Sequence, residues 1–172
     1  RMKIIINSGH HTKYDSGAVG QYSTEAEVNY KVSKIVVDCL RKVGIDAYLI
    51  MENELKDIVG LANKWEVDYF VSLHCNGAES KEATGIETYV SRGASEESNK
   101  LANCIQKQLI DTTGLYNRGV KTANYYVLKN TDMPAVLVEM GFITTPSEED
   151  YLNKNYKEVA RAIARGITDT LS

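Results

Sequence analysis

The sequence predicts an α/β domain, built on a twisted, mixed but mostly parallel sheet of about six strands with helices on both faces. Three observations predict it. Short β-branched runs of strand length alternate with longer stretches of helical period. The runs Lys3–Asn7, Tyr69–His74 and Ala135–Glu139 are apolar through most of their length, the pattern of strands covered on both sides. The chain's 172 residues suit one compact domain, expected to span 1–172 without repeat or linker.

The elements follow in order. Lys3–Asn7 is a buried strand, broken at Ser8-Gly9, and residues 8–22 form a loop rich in Gly, Ser and Asp. Thr24 caps the next helix, with Glu27 three residues on completing a capping box. Val28, Val32, Ile35, Val36, Cys39 and Val43 keep helical spacing until Gly44. Asp46–Met51 is a second strand. Residues 54–65 are helical, with Leu55, Ile58, Val59 and Ala62 on one face. Tyr69–His74 is a third strand, and 85–91 alternates as a fourth. Ser95–Thr113 is a helix with Leu101, Cys104, Ile105 and Leu109 inward, stopped by Gly114. Tyr125–Leu128 and Ala135–Glu139 read as two further strands. The final helix carries Val159, Ile163, Ile167 and Leu171 at intervals of four. No helix separates every strand pair in the second half, so the sheet is expected to be mixed.

Composition narrows the function. Net charge is −3 and no basic stretch stands out, which argues against a nucleic-acid partner. No apolar run is long enough for membrane insertion, and residues 3–6 are too short for a secretory signal core. Three widely spaced cysteines do not make a disulfide framework. Cys39 and Cys104 fall on apolar helical stripes and are expected as buried thiols in a protein that folds in a reducing compartment.

The chain's three histidines, His10, His11 and His74, all lie where an apolar run stops. Glu139 ends a third such run. Strand ends of open α/β sheets are where ligands collect. A zinc hydrolase needs neutral imidazoles, often a carboxylate, and one open position. A further carboxylate must move protons. His10 and His74 are the ligand candidates. Glu25 opens the first helix and can fold back beside His10. Glu139 is the candidate general base. Strand alternation turns Cys75 away from His74 and Asn76, making it a poor co-ligand. Plainer explanations stand beside these. A lone histidine at a strand end is more often a hydrogen-bonded loop residue, and Glu25 could simply favour the positive end of its helix. Glu139 is hardest to explain away, because a carboxylate after Ala-Val-Leu-Val is costly to bury without a partner.

The segments Gly9-His10, Asp15-Ser-Gly-Ala-Val-Gly20, Glu25-x-x-x-Asn29, Ser72-Leu-His74-Cys-Asn76-Gly, Arg118-Gly-Val-Lys, Tyr126-Val-Leu-Lys-Asn and Met133-Pro-Ala-Val-Leu-Val-Glu139-Met-Gly-Phe-Ile occur in this order. Together they resemble the zinc-dependent N-acetylmuramoyl-L-alanine amidases of the type-3 family, which includes autolysins, sporulation amidases and phage endolysins. The resemblance implies Zn²⁺ on His10, Glu25 and His74, with Glu139 catalytic. Glu27 is the rival to Glu25, which is preferred because it lies four residues before Asn29. Asn76, Arg118 and Tyr126 fall in matching segments as candidate substrate contacts, against the alternatives of a solvated charge for Arg118 and a core-edge aromatic for Tyr126. Asp15 is expected to fix its loop through local backbone hydrogen bonds.

Two departures from the family pattern are His11-Thr-Lys-Tyr in place of a Gly-rich turn, which makes His11 an alternative ligand, and Thr145 in place of the usual Asn. The implied substrate is bacterial peptidoglycan. The implied place of action is the cell wall, reached by an endolysin made in the cytoplasm or as a domain excised from a secreted enzyme. A wall-binding domain that no longer cleaves, and a zinc peptidase for a different wall amide, are the competing readings.

Overall fold

The computed structural model describes residues 1–172. Six strands form one sheet: β1 (Lys3–Ser8), β2 (Asp46–Ile50), β3 (Tyr69–Asn76), β4 (Ile86–Val90), β5 (Asn117–Thr122) and β6 (Ala135–Phe142). The helices are α1 (Glu25–Lys42), α2 (Leu55–Lys64), α3 (Glu96–Thr113), α4 (Tyr126–Lys129) and α5 (Pro146–Leu171). The strand order is β2-β1-β3-β6-β4-β5. The first four strands in that order run parallel, β4 pairs antiparallel with β6, and β5 follows β4 in parallel. The mixed sheet expected from the sequence is therefore present. The C-terminal ends of β1, β3 and β6 meet the N-terminal end of β4 at one edge.

The two faces of the sheet are covered unequally. Helices α1, α3 and α5 pack together over one face. Their core includes Ile4, Ile6, Val71, Leu73, Cys75, Val136 and Val138. Each fully buried aliphatic side chain of this kind contributes about 1.5–3 kcal/mol through removal from water. The opposite face carries only α2 and the single turn α4, over a smaller cluster that includes Ile5, Phe70 and Leu137. Side chains alternate along a strand, so the next residues on this thin side can be read off directly. Ile5 is followed by Asn7, Phe70 by Ser72, His74 and Asn76, and Leu137 by Glu139. The thin face thus turns from apolar to polar on approaching the edge, where α2 and α4 leave it open.

One pair of elements differs from the sequence expectation. Residues 125–128 are not a strand: Tyr126–Lys129 is the helical turn α4, closed by Lys129 and Asn130 N–H groups on the Tyr125 and Tyr126 carbonyls. The sixth strand is Asn117–Thr122 instead. It is an edge strand with half-exposed residues and a register shift against β4, so its sequence lacks apolar alternation. The aromatic and β-branched residues Tyr125–Val127 suit a strand locally, but Val127 and Leu128 gain more by packing under the sheet. Cys39 and Cys104 are only half-buried, at the flanks of their helical stripes rather than in the core.

Candidate metal centre and active site

The first loop is shaped around three side chains. His10 follows β1 with φ of 62°, an uncommon backbone state for a non-glycine residue. The bridge between His11 and Asp15 closes the turn behind it. Gly9 is required because a Cβ there would lie 2.4 Å from the His74 ring. Gly17 is required because a Cβ there would lie 2.6 Å from both Glu25 and the His10 ring. Thr24 caps α1 by accepting the Glu27 N–H, which sets Glu25 as the first helical residue and points it inward. Glu27 itself is exposed and spent on the cap, so the fold separates the two rivals.

His10, Glu25 and His74 come together with ligand atoms all within 4.8 Å of one another. Glu25 Oε2 lies 3.0 Å from His74 Nδ1 and 3.3 Å from His10 Nε2. The two rings meet edge to face at 5.2 Å. Glu25 Oε1 accepts the Ala18 N–H at 2.9 Å, and Oε2 also accepts the Cys75 N–H at 3.1 Å. Each imidazole is held from behind through its other nitrogen. His10 Nδ1 is 2.7 Å from Asp15, which also accepts the Gly17 N–H. His74 Nε2 is 2.9 Å from the Ser72 hydroxyl, which donates to Asn7 Oδ1 at 2.7 Å. Asn7 in turn donates to the Ile50 carbonyl. Such outer hydrogen bonds fix ring orientation and tautomer in metal sites. Two imidazoles and a carboxylate suit zinc, and the cleft side of the group is open for a further ligand.

The charges follow from this packing. The hydrogen bond with Glu25 pushes His10 up from its usual 6.5 to about 9, against the opposing effect of burial. Burial disfavours the ionised form of Glu25, but its bonds with His10 and His74 prevail and hold the carboxyl well below the usual range. Glu139 is the opposite case. It pairs in register with His74 on one side and Glu87 on the other. Its Oε2 is buried with no hydrogen-bond partner. Burial, followed by the charges of Glu25 and Glu87, raises its pKa well above that of an ordinary carboxylate.

A cleft of about 460 Å³ opens over these groups. His10, Glu25, His74, Asn76 and Glu139 line its polar wall, and Leu55, Ile58, Tyr126 and Val127 its apolar wall. Asn76 and Tyr126 line the cleft. Arg118 is not a simple solvated charge: its Nε is 2.9 Å from buried Glu87. His11 stays outside the cluster, accepting the Lys13 N–H and packing on Tyr14. Cys75 faces the thick core beside Asn29, as alternation required. Sequence reasoning missed Ser72, Asn7, Glu87 and Lys121, and it gave Asp15 only its loop role. The alternation from Ile5 to Asn7 and from Phe70 to Ser72 was the available signal.

The profile of the N-acetylmuramoyl-L-alanine amidase family matches residues 4–169. The chain belongs to this family. It is 37% identical over 171 residues to the uncharacterized protein YqiI of Bacillus subtilis, covering 95% of this chain and 82% of that one. It is 38% identical to the Bacillus subtilis N-acetylmuramoyl-L-alanine amidase LytC, covering 95% of this chain but only 34% of that longer protein. Among solved structures, the catalytic domain of CwlV, an N-acetylmuramoyl-L-alanine amidase from Bacillus (Paenibacillus) polymyxa, superposes with a TM-score of 0.91 at 33% identity, covering 99% and 98% of the two chains. An N-acetylmuramoyl-L-alanine amidase from Clostridium difficile gives 0.91 at 31% identity, covering 99% and 96%. This member of the family has no helix long and apolar enough to cross a membrane.

Proposed function

We propose that this amidase-family chain hydrolyses the amide between N-acetylmuramic acid and the L-alanine of the stem peptide, acting on peptidoglycan at the bacterial cell wall. The observation that carries the reading is an unpartnered, buried carboxyl, Glu139, set in register beside a three-ligand group that opens on a cleft. His10, Glu25 and His74 would hold the metal, and a donor set of two imidazoles and one carboxylate favours Zn²⁺. Bound there, zinc lowers the pKa of water and polarises an amide carbonyl.

The rest falls to the side chains. Glu139 accepts the proton of the attacking water and delivers it to the leaving alanine amine, because a carboxyl whose pKa is raised by burial is a stronger base when ionised than an ordinary carboxylate and can return the proton as an acid. Positive charge on His10 opposes that rise and favours the ionised form. Asp15 and Ser72 hold the two imidazoles in orientation. Asn76 and Tyr126, which both line the cleft, position the substrate. An intact ligand set with an intact acid–base group argues for catalysis over wall binding alone. The test joins metal analysis with product analysis on purified peptidoglycan. About one zinc per chain is expected by the one-site reading, with new N-terminal alanine that disappears on chelation and returns with zinc. New amines from a cross-bridge or diamino acid, without free alanine, would instead indicate a different wall amidohydrolase.

A further inference from the structure

Beyond Glu139, the open sheet face carries a second buried carboxylate that the proposed reaction does not use. Glu87 on β4 lies directly opposite Glu139 and is almost fully buried. Four donors converge on it: Asn76 Nδ2 at 2.7 Å, Tyr89 Oη at 2.8 Å, Arg118 Nε at 2.9 Å and Lys121 Nζ at 2.8 Å. Two cations face one anion, so the cluster keeps one positive charge. The cations are not sealed in: the Arg118 and Lys121 side chains stay 31% and 41% exposed. Arg118 also lies over the Phe142 ring, its Cζ 5.1 Å from the ring centroid, with Nη1 donating to the Thr84 carbonyl. Both are thus fixed in place while retaining N–H groups for another partner. The lining of the cleft itself has no Lys or Arg and includes the acidic Asp15 and Glu52, so the Arg118–Lys121 pair lies beside the cleft, next to its Glu139 edge across Glu87.

We propose that Arg118 and Lys121, held by Glu87, form a carboxylate subsite that binds the acidic second residue of the stem peptide and so sets the direction in which substrate lies in the cleft. The inference rests on the amidase reading above. The two sides of the scissile amide differ in charge: the muramyl glycan is neutral, whereas the peptide continues from alanine into a γ-linked glutamate with an α-carboxylate. The scale agrees. Neighbouring strands lie about 4.8 Å apart, which puts cations drawn toward Glu87 about 5–10 Å from Glu139. Two extended residues span about 7 Å. The peptide therefore runs over β4 toward β5, and the glycan lies toward Glu52 and Asn53. A pre-positioned pair loses little freedom on binding, which favours affinity.

The test compares two soluble substrates, N-acetylmuramoyl-L-alanyl-D-glutamate and its D-isoglutamine counterpart, on the zinc-loaded enzyme. The acid is expected to be preferred by about tenfold in kcat/KM, mostly through KM, as for loss of one charge-assisted hydrogen bond. Lys121→Gln should bring the preference close to one, mainly by raising KM for the acid. Lys121→Arg should restore the preference. Arg118→Gln should act in the same direction, and Lys121, being more exposed, supplies the decisive variant if Arg118→Gln lowers stability. Equal use of both substrates by the unaltered enzyme, or a preference that survives Lys121→Gln and Arg118→Gln, would overturn the subsite. Failure to release alanylglutamate or alanylisoglutamine at all would overturn the amidase reading, and the subsite with it.

Discussion

Two buried acidic regions of this molecule have opposite hydrogen bonding. At the start of α5, Glu149 accepts the N–H groups of Gln21, Tyr22 and Ser23 and the Ser23 hydroxyl, all within 2.9 Å. Its neighbour Glu148 accepts the N–H groups of Gly85 and Phe142. Burial opposes ionisation of Glu149, but its bonds with the Gln21–Ser23 segment prevail and keep it below the usual range. At the end of β6, Glu139 is equally hidden, yet one oxygen has no partner and its pKa is raised. Burial alone therefore does not mark a catalytic carboxylate. Saturated carboxylates fasten loops, and an unsaturated one beside a metal-type cluster is available for chemistry.

The largest test of that contrast is to remove each acid. Glu139→Gln should lower turnover by about 10²–10⁴-fold, the range for loss of a general acid–base group. It should leave zinc stoichiometry unchanged and should not lower the melting temperature, because no hydrogen bond is lost at Oε2. Wall lysis at the normal rate by the zinc-loaded variant would remove Glu139 from the mechanism. Glu149→Ala should show the reverse. It strands several donors of the first loop and is expected to cost about 2–4 kcal/mol of stability. Its rate per folded, zinc-loaded molecule should stay close to normal, and a specific loss of kcat at full folding would break the division of roles.

A smaller effect is expected one step behind the metal ligands. Ser72→Ala removes the acceptor that orients His74 Nε2 and leaves Asn7 Oδ1 without its donor. Zinc affinity should fall by about 10–100-fold, as for other outer hydrogen bonds to metal-binding histidines. Competition with a chelator of known affinity measures it. Ser72→Thr, which keeps the hydroxyl, should recover most of the loss. Unchanged affinity in the alanine variant would show that packing alone orients His74.

What the sequence made legible follows from the range of each signal. Strand ends announce themselves where an apolar run stops, so His10, His74 and Glu139 stood out as a set before any geometry. The choice of Glu25 over Glu27 needed the helix start, because only the Thr24 cap decides which carboxylate turns inward. β5 was hidden because edge strands need not alternate, and α4 was mistaken because its aromatic residues suit a strand locally. Glu87, Glu148 and Glu149 looked like ordinary surface charge. Their partners lie far away in sequence, and Glu149 reaches residues more than 120 positions back. Periodicity carries no information about pairings of that kind.

The smallest and most discriminating prediction concerns pH. Glu25 falls between the two acidic regions, ionised like Glu149 but through histidines rather than backbone. In the metal-free protein, His10 rises from 6.5 to about 9, so its contribution to stability is complete below about pH 6.5 and is lost as pH climbs through 9. Glu25 shifts downward, so its share is present above the usual carboxylate range and disappears only in stronger acid. The two shifts describe one ion pair and are counted once. Glu139 moves upward and so adds to the alkaline loss, because the buried carboxyl must ionise as pH rises. Melting temperature in chelator should therefore decline between pH 6.5 and 9 as His10 loses its proton, and the whole decline from the ordinary carboxylate range upward should be smaller in Glu139→Gln. Zinc reverses the sign, since its ligands bind only when deprotonated and its stabilisation grows with pH. Melting curves at pH 6, 7.5 and 9, with chelator and with zinc, should diverge as pH rises. Parallel curves would mean that His10 and Glu25 do not hold the metal.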